Sequence, residues 1–187
     1  MEIFKKQIQI ILLKIQILQL MKKLLGFEKG YKEFAEDLGK RESGGNYKIV
    51  NSLGYMGKWQ FGMARLCDLG YTDRRPGTTD FTNESFEWKQ GYSQEYFLNT
   101  PDLQERIFKQ HVQDLVERIQ RTFFASLGQK VGNITFTLSG GVAGAHLGGI
   151  GGVRRFINGD NAPEDAFGTS VAEYVEKFAG YDLSKVG

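Results

Sequence analysis

The feature that most constrains this chain is a helical pattern that leads directly into a carboxylate and then stops. Apolar residues recur at helical spacing over residues 31–38, and the pattern continues to Glu42. Gly44 and Gly45 follow, and glycines commonly end helices because they readily adopt left-handed backbone conformations. The sequence therefore predicts a helix over residues 27–42 that presents Glu42 at its carboxyl end.

A carboxyl group at this position has the surroundings that a general acid needs. The helix dipole places partial negative charge at the carboxyl end, which disfavours a second negative charge there. Four aromatic residues lie close in sequence and can supply an apolar wall: Tyr47, Tyr55, Trp59 and Phe61. Both effects favour the protonated form of a carboxyl group, which a general acid must retain near neutral pH. Glu42 is a candidate on these grounds, although most glutamates near helix ends are solvated surface groups.

The remaining patterns are mostly helical. Pro101 suits a first helical position, Asp102 lies in the first turn, and apolar residues then recur at helical spacing. The predicted helices after the first one span residues 64–69, 102–124, 139–147, 153–157 and 170–178, and residues 84–90 and 93–98 are compatible with helical turns. Residues 134–138 alternate and are compatible with a strand, and residues 148–152 are expected to break the helical pattern. We therefore predict a mainly α-helical domain with a glycine-rich loop region over residues 43–63 and at most a small β-hairpin.

Residues 1–25 differ from the rest of the chain and are treated as a basic, apolar N-terminal extension. They hold five lysines and one glutamate, and their longest uninterrupted apolar run, residues 10–13, is too short to span a bilayer. Three interpretations stay open: a secretory signal, an amphipathic surface helix, or a true start at Met21. Membrane contact is expected only through this extension, and residues 26–187 are predicted to form one domain.

Composition excludes several classes of function. The whole chain has a net charge of +2, of which the extension carries +4, so the domain itself is near −2 and is not a basic nucleic-acid binder. Cys67 is the only cysteine, so no intrachain disulfide forms. The two histidines and this cysteine are too widely spaced for a recognisable metal site. We expect no metal, no cofactor and no nucleic-acid partner.

Four segments of the chain occur in a characteristic order. They read ESGG from Glu42, SLGYMGKWQ from Ser52, AHLGGIGGV from Ala145 and TSVAEYV from Thr169. Together they resemble the motifs of the lysozyme-like superfamily, closest to soluble lytic transglycosylases and goose-type lysozymes. The resemblance covers residues 31–181, and the first two segments are also similar to lysozyme-like modules of bacterial secretion effectors and phage proteins.

The resemblance implies an enzyme that cleaves the β-1,4 bond between N-acetylmuramic acid and N-acetylglucosamine in peptidoglycan. It implies that Glu42 is the general acid and base, that Gln60 contacts substrate, and that Tyr174 lies near Glu42. It also implies that the Ser43 hydroxyl group orients either the substrate or the carboxylate. His146 and Leu147 depart from the Tyr-Asn pair of the family, so His146 either takes over the tyrosine's role or is simply a packed histidine. Among the aromatic residues, Tyr55 and Trp59 are expected to line the cleft.

Two features of the reaction stay open: the group that assists Glu42, and whether the product is hydrolysed or anhydro. Glycosidic cleavage normally uses two carboxylates, and Asp68, Asp73 and Asp80 are candidates for the second, although loop aspartates are more often solvated. The substrate's own N-acetyl group can replace a second carboxylate. A transglycosylase then uses the sugar's 6-hydroxyl group in place of water and forms a 1,6-anhydro product, whereas a lysozyme hydrolyses the bond.

A different class of function also stays open. The domain is alternatively a catalytically inactive glycan-binding or interaction module of a secretion or phage apparatus that uses the same cleft. Both interpretations imply peptidoglycan glycan strands as the partner and a location in the periplasm or outside the cell. A toxic effector would also require an immunity or inhibitor protein as a partner.

Overall fold

The structure is a computed structural model that describes residues 2–24, 29–160 and 168–186. Within these ranges the chain is mainly helical, which confirms the predicted fold class. The helices are α1 (Glu2–Leu24), α2 (Tyr31–Ser43), α3 (Met63–Asp68), α4 (Gln94–Asn99), α5 (Pro101–Phe123), α6 (Leu138–Ile157) and α7 (Val171–Lys177). The boundary predicted between residues 25 and 26 lies outside the described residues.

Three small sheets accompany the helices in the part of the chain that the structure describes, where at most a small β-hairpin was expected. Antiparallel pairs join β2 (Thr72–Arg74) to β3 (Phe86–Trp88) and β4 (Lys130–Val131) to β5 (Ile134–Thr135). A parallel pair joins β1 (Lys29–Gly30) to β6 (Tyr181–Asp182) near the two ends of the domain. Only β5 lies in a segment whose alternation predicted a strand, because strands of two or three residues are mostly too short to show a pattern. β3 lies within residues 84–90, where a helical turn was expected, so that prediction was wrong.

The end of α2 lies where the sequence predicted it. The helix continues one residue past Glu42 to Ser43, and Gly44 follows in a left-handed conformation with φ 69°. The amide groups of Gly44 and Gly45 donate to the carbonyl groups of Lys40 and Gly39 at 3.0 and 3.1 Å, which satisfies the last turn of the helix. At the other end, residues 29–30 form β1, and the predicted helical residues 27–28 lie outside the described part of the chain.

The core forms around α5, which matches its predicted span closely. Ile107, Phe108 and Val112 are fully buried on this helix. Trp59, from the loop after α2, stacks on Phe108 with ring centroids 4.1 Å apart and an interplanar angle of 6°. Phe34 of α2 lies on the same side, with its ring centroid 6.5 Å from that of Phe108. This aromatic cluster joins α2, the following loop and α5.

The glycine-rich segment α6 consists of two helical stretches that meet at a kink, in agreement with the break predicted over residues 148–152. Only Gly149 of α6 departs from helical geometry, with φ 64° and ψ 179°. Elsewhere the glycines allow close packing against α7. A Cβ atom at Gly140 would overlap the carbonyl oxygen of Val175, and one at Gly144 would lie 2.9 Å from the Val175 side chain.

The last helix begins with a capping box that fixes its position. Ser170 is the N-cap residue, and its hydroxyl group accepts a hydrogen bond from the Glu173 amide at 3.2 Å. The Glu173 carboxylate accepts from the Ser170 amide in return, also at 3.2 Å. Tyr174 therefore occupies the first turn of α7.

The N-terminal extension forms α1 over residues 2–24. Its described apolar side chains are largely exposed, among them Ile11, Leu13 and Leu20. Across the described ranges of the chain, none of the helices combines the length and apolar character required for a membrane span. The three interpretations of residues 1–25 stay predictions.

Candidate functional site

A cleft of about 490 Å³ opens beside the carboxyl end of α2, and all four of the segments singled out in the sequence contribute to it. The residues that line it are Arg41, Glu42, Asn51, Leu53, Tyr55, Gln60, His146, Leu147, Thr169 and Tyr174. They come from the end of α2, the loop over residues 44–62, the middle of α6 and the start of α7. Segments more than a hundred residues apart in sequence therefore meet at one site.

Glu42 is held by a hydrogen bond from Tyr174. The Tyr174 hydroxyl group donates to Oε1 of Glu42 at 2.6 Å, and the Glu42 side chain is only 13% exposed. Burial, together with the nearby Glu42 carboxylate, raises the pKa of Tyr174, so this phenol retains its proton and acts as the donor. As expected from the sequence, Tyr174 lies beside Glu42, and it fixes one oxygen of the carboxyl group.

His146 lies on the other side of the same oxygen. Its Nε2 atom is 3.7 Å from Oε1 of Glu42, and its Nδ1 atom is 2.9 Å from Nε2 of His111 on α5. Burial lowers the pKa of His146 despite the opposing effect of Glu42, and burial also lowers the pKa of His111 well below its usual range. Both rings are therefore neutral near pH 7.

Arg65 completes the contacts behind His146. Its Nε group donates to Nδ1 of His111 at 2.8 Å, and its terminal nitrogens contact Asp114 at 2.5 Å and Asp68 at 3.3 Å. Burial alone would raise the pKa of Asp114, but the hydrogen bond from Arg65 holds it below its usual value. The sequence patterns did not single out Arg65 or His111, because each lies on a helix at an unremarkable position.

Trp59 does not line the cleft, which corrects the expectation that it contacts the glycan. It has no exposed surface, it stacks on Phe108, and its indole Nε1 group donates to the carbonyl oxygen of Ala35 at 2.9 Å. The next residue, Gln60, has a left-handed φ of 48° and lines the cleft. Tyr55 also lines it and is 43% exposed, in agreement with its predicted position.

The Ser43 hydroxyl group likewise makes hydrogen bonds within the fold. It donates to the carbonyl oxygen of Lys58 at 2.8 Å and accepts from the amide of Asn46 at 3.0 Å. Ser43 is not among the residues that line the cleft. These hydrogen bonds tie the end of α2 to the following loop, and the predicted orienting role of Ser43 stays a prediction.

A buried lysine fastens that loop to two helices. The Lys58 ammonium group lies 2.9 Å from the Glu36 carboxylate on α2 and 3.2 Å from the Glu105 carboxylate on α5. It also donates to the Tyr47 hydroxyl group at 3.2 Å. Burial lowers the pKa of Lys58, but the hydrogen bonds with these three partners outweigh it and raise the pKa above the usual value. No pattern in the sequence predicted this anchor.

A second cavity of about 290 Å³ continues the cleft. It shares Tyr55, Gln60, His146 and Leu147 with the first cavity, so the two form one groove. Phe81 lines the second cavity and is 75% exposed, and the Arg74 guanidinium group lies 4.2 Å from its ring centroid. This arrangement leaves an aromatic face available at the edge of the groove.

The three aspartates proposed as a second carboxylate do not line the cleft beside Glu42. Asp68 lines the second cavity and is paired with Arg65. Asp73 lies on β2, 3.4 Å from Lys89, and Asp80 accepts hydrogen bonds from Thr82 and Ser85 in its loop. Among the described residues that line the 490 Å³ cleft, Glu42 is the only carboxylate.

Within the same described ranges, no three histidine, cysteine or acidic side chains are grouped so that they could bind a metal ion.

No family model, curated protein or solved structure matches this chain. The resemblance to the lysozyme-like superfamily therefore stays a prediction that depends on the four quoted segments. The convergence of those segments on one cleft is an independent observation from the geometry. The function has to be derived from that cleft.

Proposed function

We propose that this chain cleaves the β-1,4 bond between N-acetylmuramic acid and N-acetylglucosamine in peptidoglycan, as a lytic transglycosylase or a lysozyme. The observation that carries the proposal is the Glu42 carboxyl group, which lies in a groove and is held by the Tyr174 hydroxyl group at 2.6 Å. A fixed, mostly buried carboxyl group beside an open groove is suited to proton transfer onto a bound substrate.

Glu42 acts as both acid and base in this scheme. As the acid it protonates the glycosidic oxygen, so that the leaving sugar departs as an alcohol and positive charge develops on the ring. As the base it then removes a proton from the hydroxyl group that attacks the same carbon. Tyr174 keeps the carboxyl group in one rotamer throughout both steps.

The second half of the reaction depends on the substrate. Since Glu42 is the only carboxylate among the described residues lining its cleft, the N-acetyl group of the sugar is the natural candidate to stabilise the positive ring carbon. Attack by water then gives a reducing end, and attack by the sugar's own 6-hydroxyl group gives an anhydro product. Both outcomes use Glu42 in the same roles.

The groove has the chemistry expected of a glycan site. Asn51 and Gln60 line the groove with side-chain amides. The Asn51 Oδ1 atom accepts from two backbone amides and the Gln60 Nε2 group donates to the Gly57 carbonyl, so Nδ2 of Asn51 and Oε1 of Gln60 are the atoms offered to sugar hydroxyl and N-acetyl groups. Tyr55 and Phe81 present exposed aromatic rings on which a sugar ring stacks. Two connected cavities fit a polymer better than they fit a small isolated ligand. The substrate also implies that the protein acts in the periplasm or outside a bacterial cell.

The test compares Glu42→Gln with a matched Glu117→Gln control. Glutamine keeps the size of the side chain but cannot donate a carboxylic proton, and Glu117 is an exposed residue of α5. Purified full-length proteins are incubated with labelled bacterial sacculi, and soluble fragments are measured. We expect release by the wild type and by Glu117→Gln, and a loss of at least about a hundredfold for Glu42→Gln. Equal release by all three proteins would remove Glu42 from the mechanism.

A binding module remains the second candidate because of Leu147. This apolar side chain lines the cleft at a position where the resemblance leads us to expect an asparagine amide. Loss of that amide removes one substrate contact. If the wild type sediments with sacculi but releases no fragments, while a known muramidase does so in parallel, the binding interpretation replaces the enzyme.

A further inference from the structure

Behind Glu42, hydrogen bonds link Arg65 to His111 and His111 to His146. Arg65, at one end, determines which atom donates in each bond. We propose that Arg65 and His111 are positioning residues that keep the single proton of His146 on Nε2, facing Glu42. This inference rests on the proposed function, because it assigns these residues a role in preparing the general acid. The tautomers of His111 and His146 can be tested without any measurement of activity.

The direction is set by Arg65. A guanidinium group donates hydrogen bonds and cannot accept them, so the 2.8 Å contact from Arg65 Nε requires an unprotonated Nδ1 on His111. The guanidinium group cannot turn away, because Asp114 and Asp68 hold its two terminal nitrogens at 2.5 and 3.3 Å. Asp114 is itself held by Arg118 at 3.0 Å.

The constraint passes from His111 to His146. A neutral His111 without a proton on Nδ1 carries its proton on Nε2, and this group lies 2.9 Å from Nδ1 of His146. Nδ1 of His146 therefore accepts, and the one proton of neutral His146 lies on Nε2. The reversed arrangement would place an Nδ1 proton of His111 against the Arg65 Nε–H group, so two donors would face each other at 2.8 Å.

The consequence is an asymmetric carboxyl group at Glu42. Oε1 accepts a hydrogen bond from the Tyr174 hydroxyl group at 2.6 Å, and the Nε2–H group of His146 lies 3.7 Å from the same oxygen. The second distance is longer than a hydrogen bond and is an electrostatic contact, and the backbone carbonyl of Trp59 is a further acceptor for the His146 ring. With Oε1 committed to accepting, the proton of the general acid lies on Oε2.

Histidine tautomers are the direct test, and the chain suits it because it contains only two histidines. Long-range proton–nitrogen correlation spectra of the uniformly ¹⁵N-labelled full chain near pH 7 distinguish Nδ1–H from Nε2–H forms. We expect both rings as Nε2–H in the wild type, and an Nδ1–H form of His111 to emerge in Arg65→Met. Arg118→Met, which also removes a cation from Asp114 but leaves the Arg65 contact with His111 in place, should keep the wild-type tautomers. An Nδ1–H form in the wild type, or an unchanged Arg65→Met spectrum, overturns the inference.

Kinetics then test whether the positioning matters for the reaction. His111→Gln offers an acceptor to Arg65 and a donor to His146, whereas His111→Leu offers neither. We expect kcat to fall about ten- to a hundredfold in His111→Leu with KM nearly unchanged, and His111→Gln to recover most of the loss. Equal losses in both variants, at equal stability in urea, contradict the positioning role. If Glu42→Gln retains full activity, the proposed function fails while the tautomer result still stands.

Discussion

The Tyr174 hydroxyl group donates a 2.6 Å hydrogen bond to Oε1 of Glu42, and these two residues are 132 positions apart in the sequence. The bond ties the first turn of α7 to the last turn of α2. It is therefore both a link that closes the fold and a constraint on the candidate acid. The two contributions can be separated by experiment, since the chain contains a second tyrosine with a comparable bond.

Tyr174→Phe removes this bond and preserves the ring. The matched control is Tyr181→Phe, because the Tyr181 hydroxyl group donates to the Asp37 carboxylate at 2.8 Å. We expect each variant to lower the free energy of unfolding by up to about 3 kcal/mol, as measured in urea. Only Tyr174→Phe should lower kcat, by about ten- to a hundredfold, because its carboxylate partner Glu42 is the proposed acid. Equal kcat values for the two variants would remove Tyr174 from the mechanism.

Phe81→Ala tests whether the groove extends beyond the cleft at Glu42. Phe81 is 75% exposed and lines the second cavity, so its removal should leave stability unchanged and weaken binding of glycan strands about fivefold, which corresponds to about 1 kcal/mol. Phe124→Ala is the control, since Phe124 is 77% exposed and lines neither cavity. Binding is measured with catalytically inactive Glu42→Gln protein. The same affinity for both alanine variants would exclude Phe81 from the binding surface.

Trp59→Ala should lower the free energy of unfolding and should not act on glycan binding directly. The side chain has no exposed surface and stacks on Phe108, so its removal leaves a cavity that costs about 3–5 kcal/mol. Urea unfolding followed by far-ultraviolet circular dichroism measures this cost without relying on tryptophan fluorescence. If the variant has the stability of the wild type but binds glycan more weakly, Trp59 contacts the glycan and this prediction is wrong.

The helices were predictable because their residues repeat in local patterns. The long repeat of α5 and the two glycines after Glu42 are signals that depend only on neighbours in the sequence. The position of Glu42 at a helix end followed from them. Apart from β5, the short strands could not be found in this way, because strands of two or three residues are defined by their partners and not by their own pattern.

The site was predictable only in part, for a related reason. Trp59 and Tyr55 are both aromatic and lie four residues apart, and only the contact with Phe108 decides that the first is core. Ser43 and the Lys58 anchor depend on the path of the loop. His111 fits the apolar face of α5, so its contact with His146 becomes visible only when α5 and α6 are packed together.

The two histidines also predict how stability depends on pH. Burial lowers the pKa of His111 and of His146 from the ordinary value of 6.5. Below that pH the unfolded chain binds protons that the folded chain does not bind. Stability is therefore fully present above about pH 6.5 and falls as the pH decreases, by up to about 1.4 kcal/mol per pH unit for each histidine.

Urea unfolding between about pH 7 and pH 5 checks this dependence. The reference is the double variant His111→Gln, His146→Gln, in which all carboxyl groups still titrate but no histidine does. We expect the wild type to lose more unfolding free energy than the double variant over this interval. Parallel curves for the two proteins would mean that the histidines are not buried in their neutral form.

The identity of the soluble products tests the central claim most directly. Sacculi are digested with the wild type and with Glu42→Gln, and the released fragments are analysed by mass spectrometry. The proposal predicts fragments cut between N-acetylmuramic acid and N-acetylglucosamine that are absent with the variant. Fragments lighter by one water identify a transglycosylase, and ordinary reducing ends identify a lysozyme. Intact glycan strands after treatment with the wild type, under conditions in which a known muramidase releases fragments, would contradict the claim.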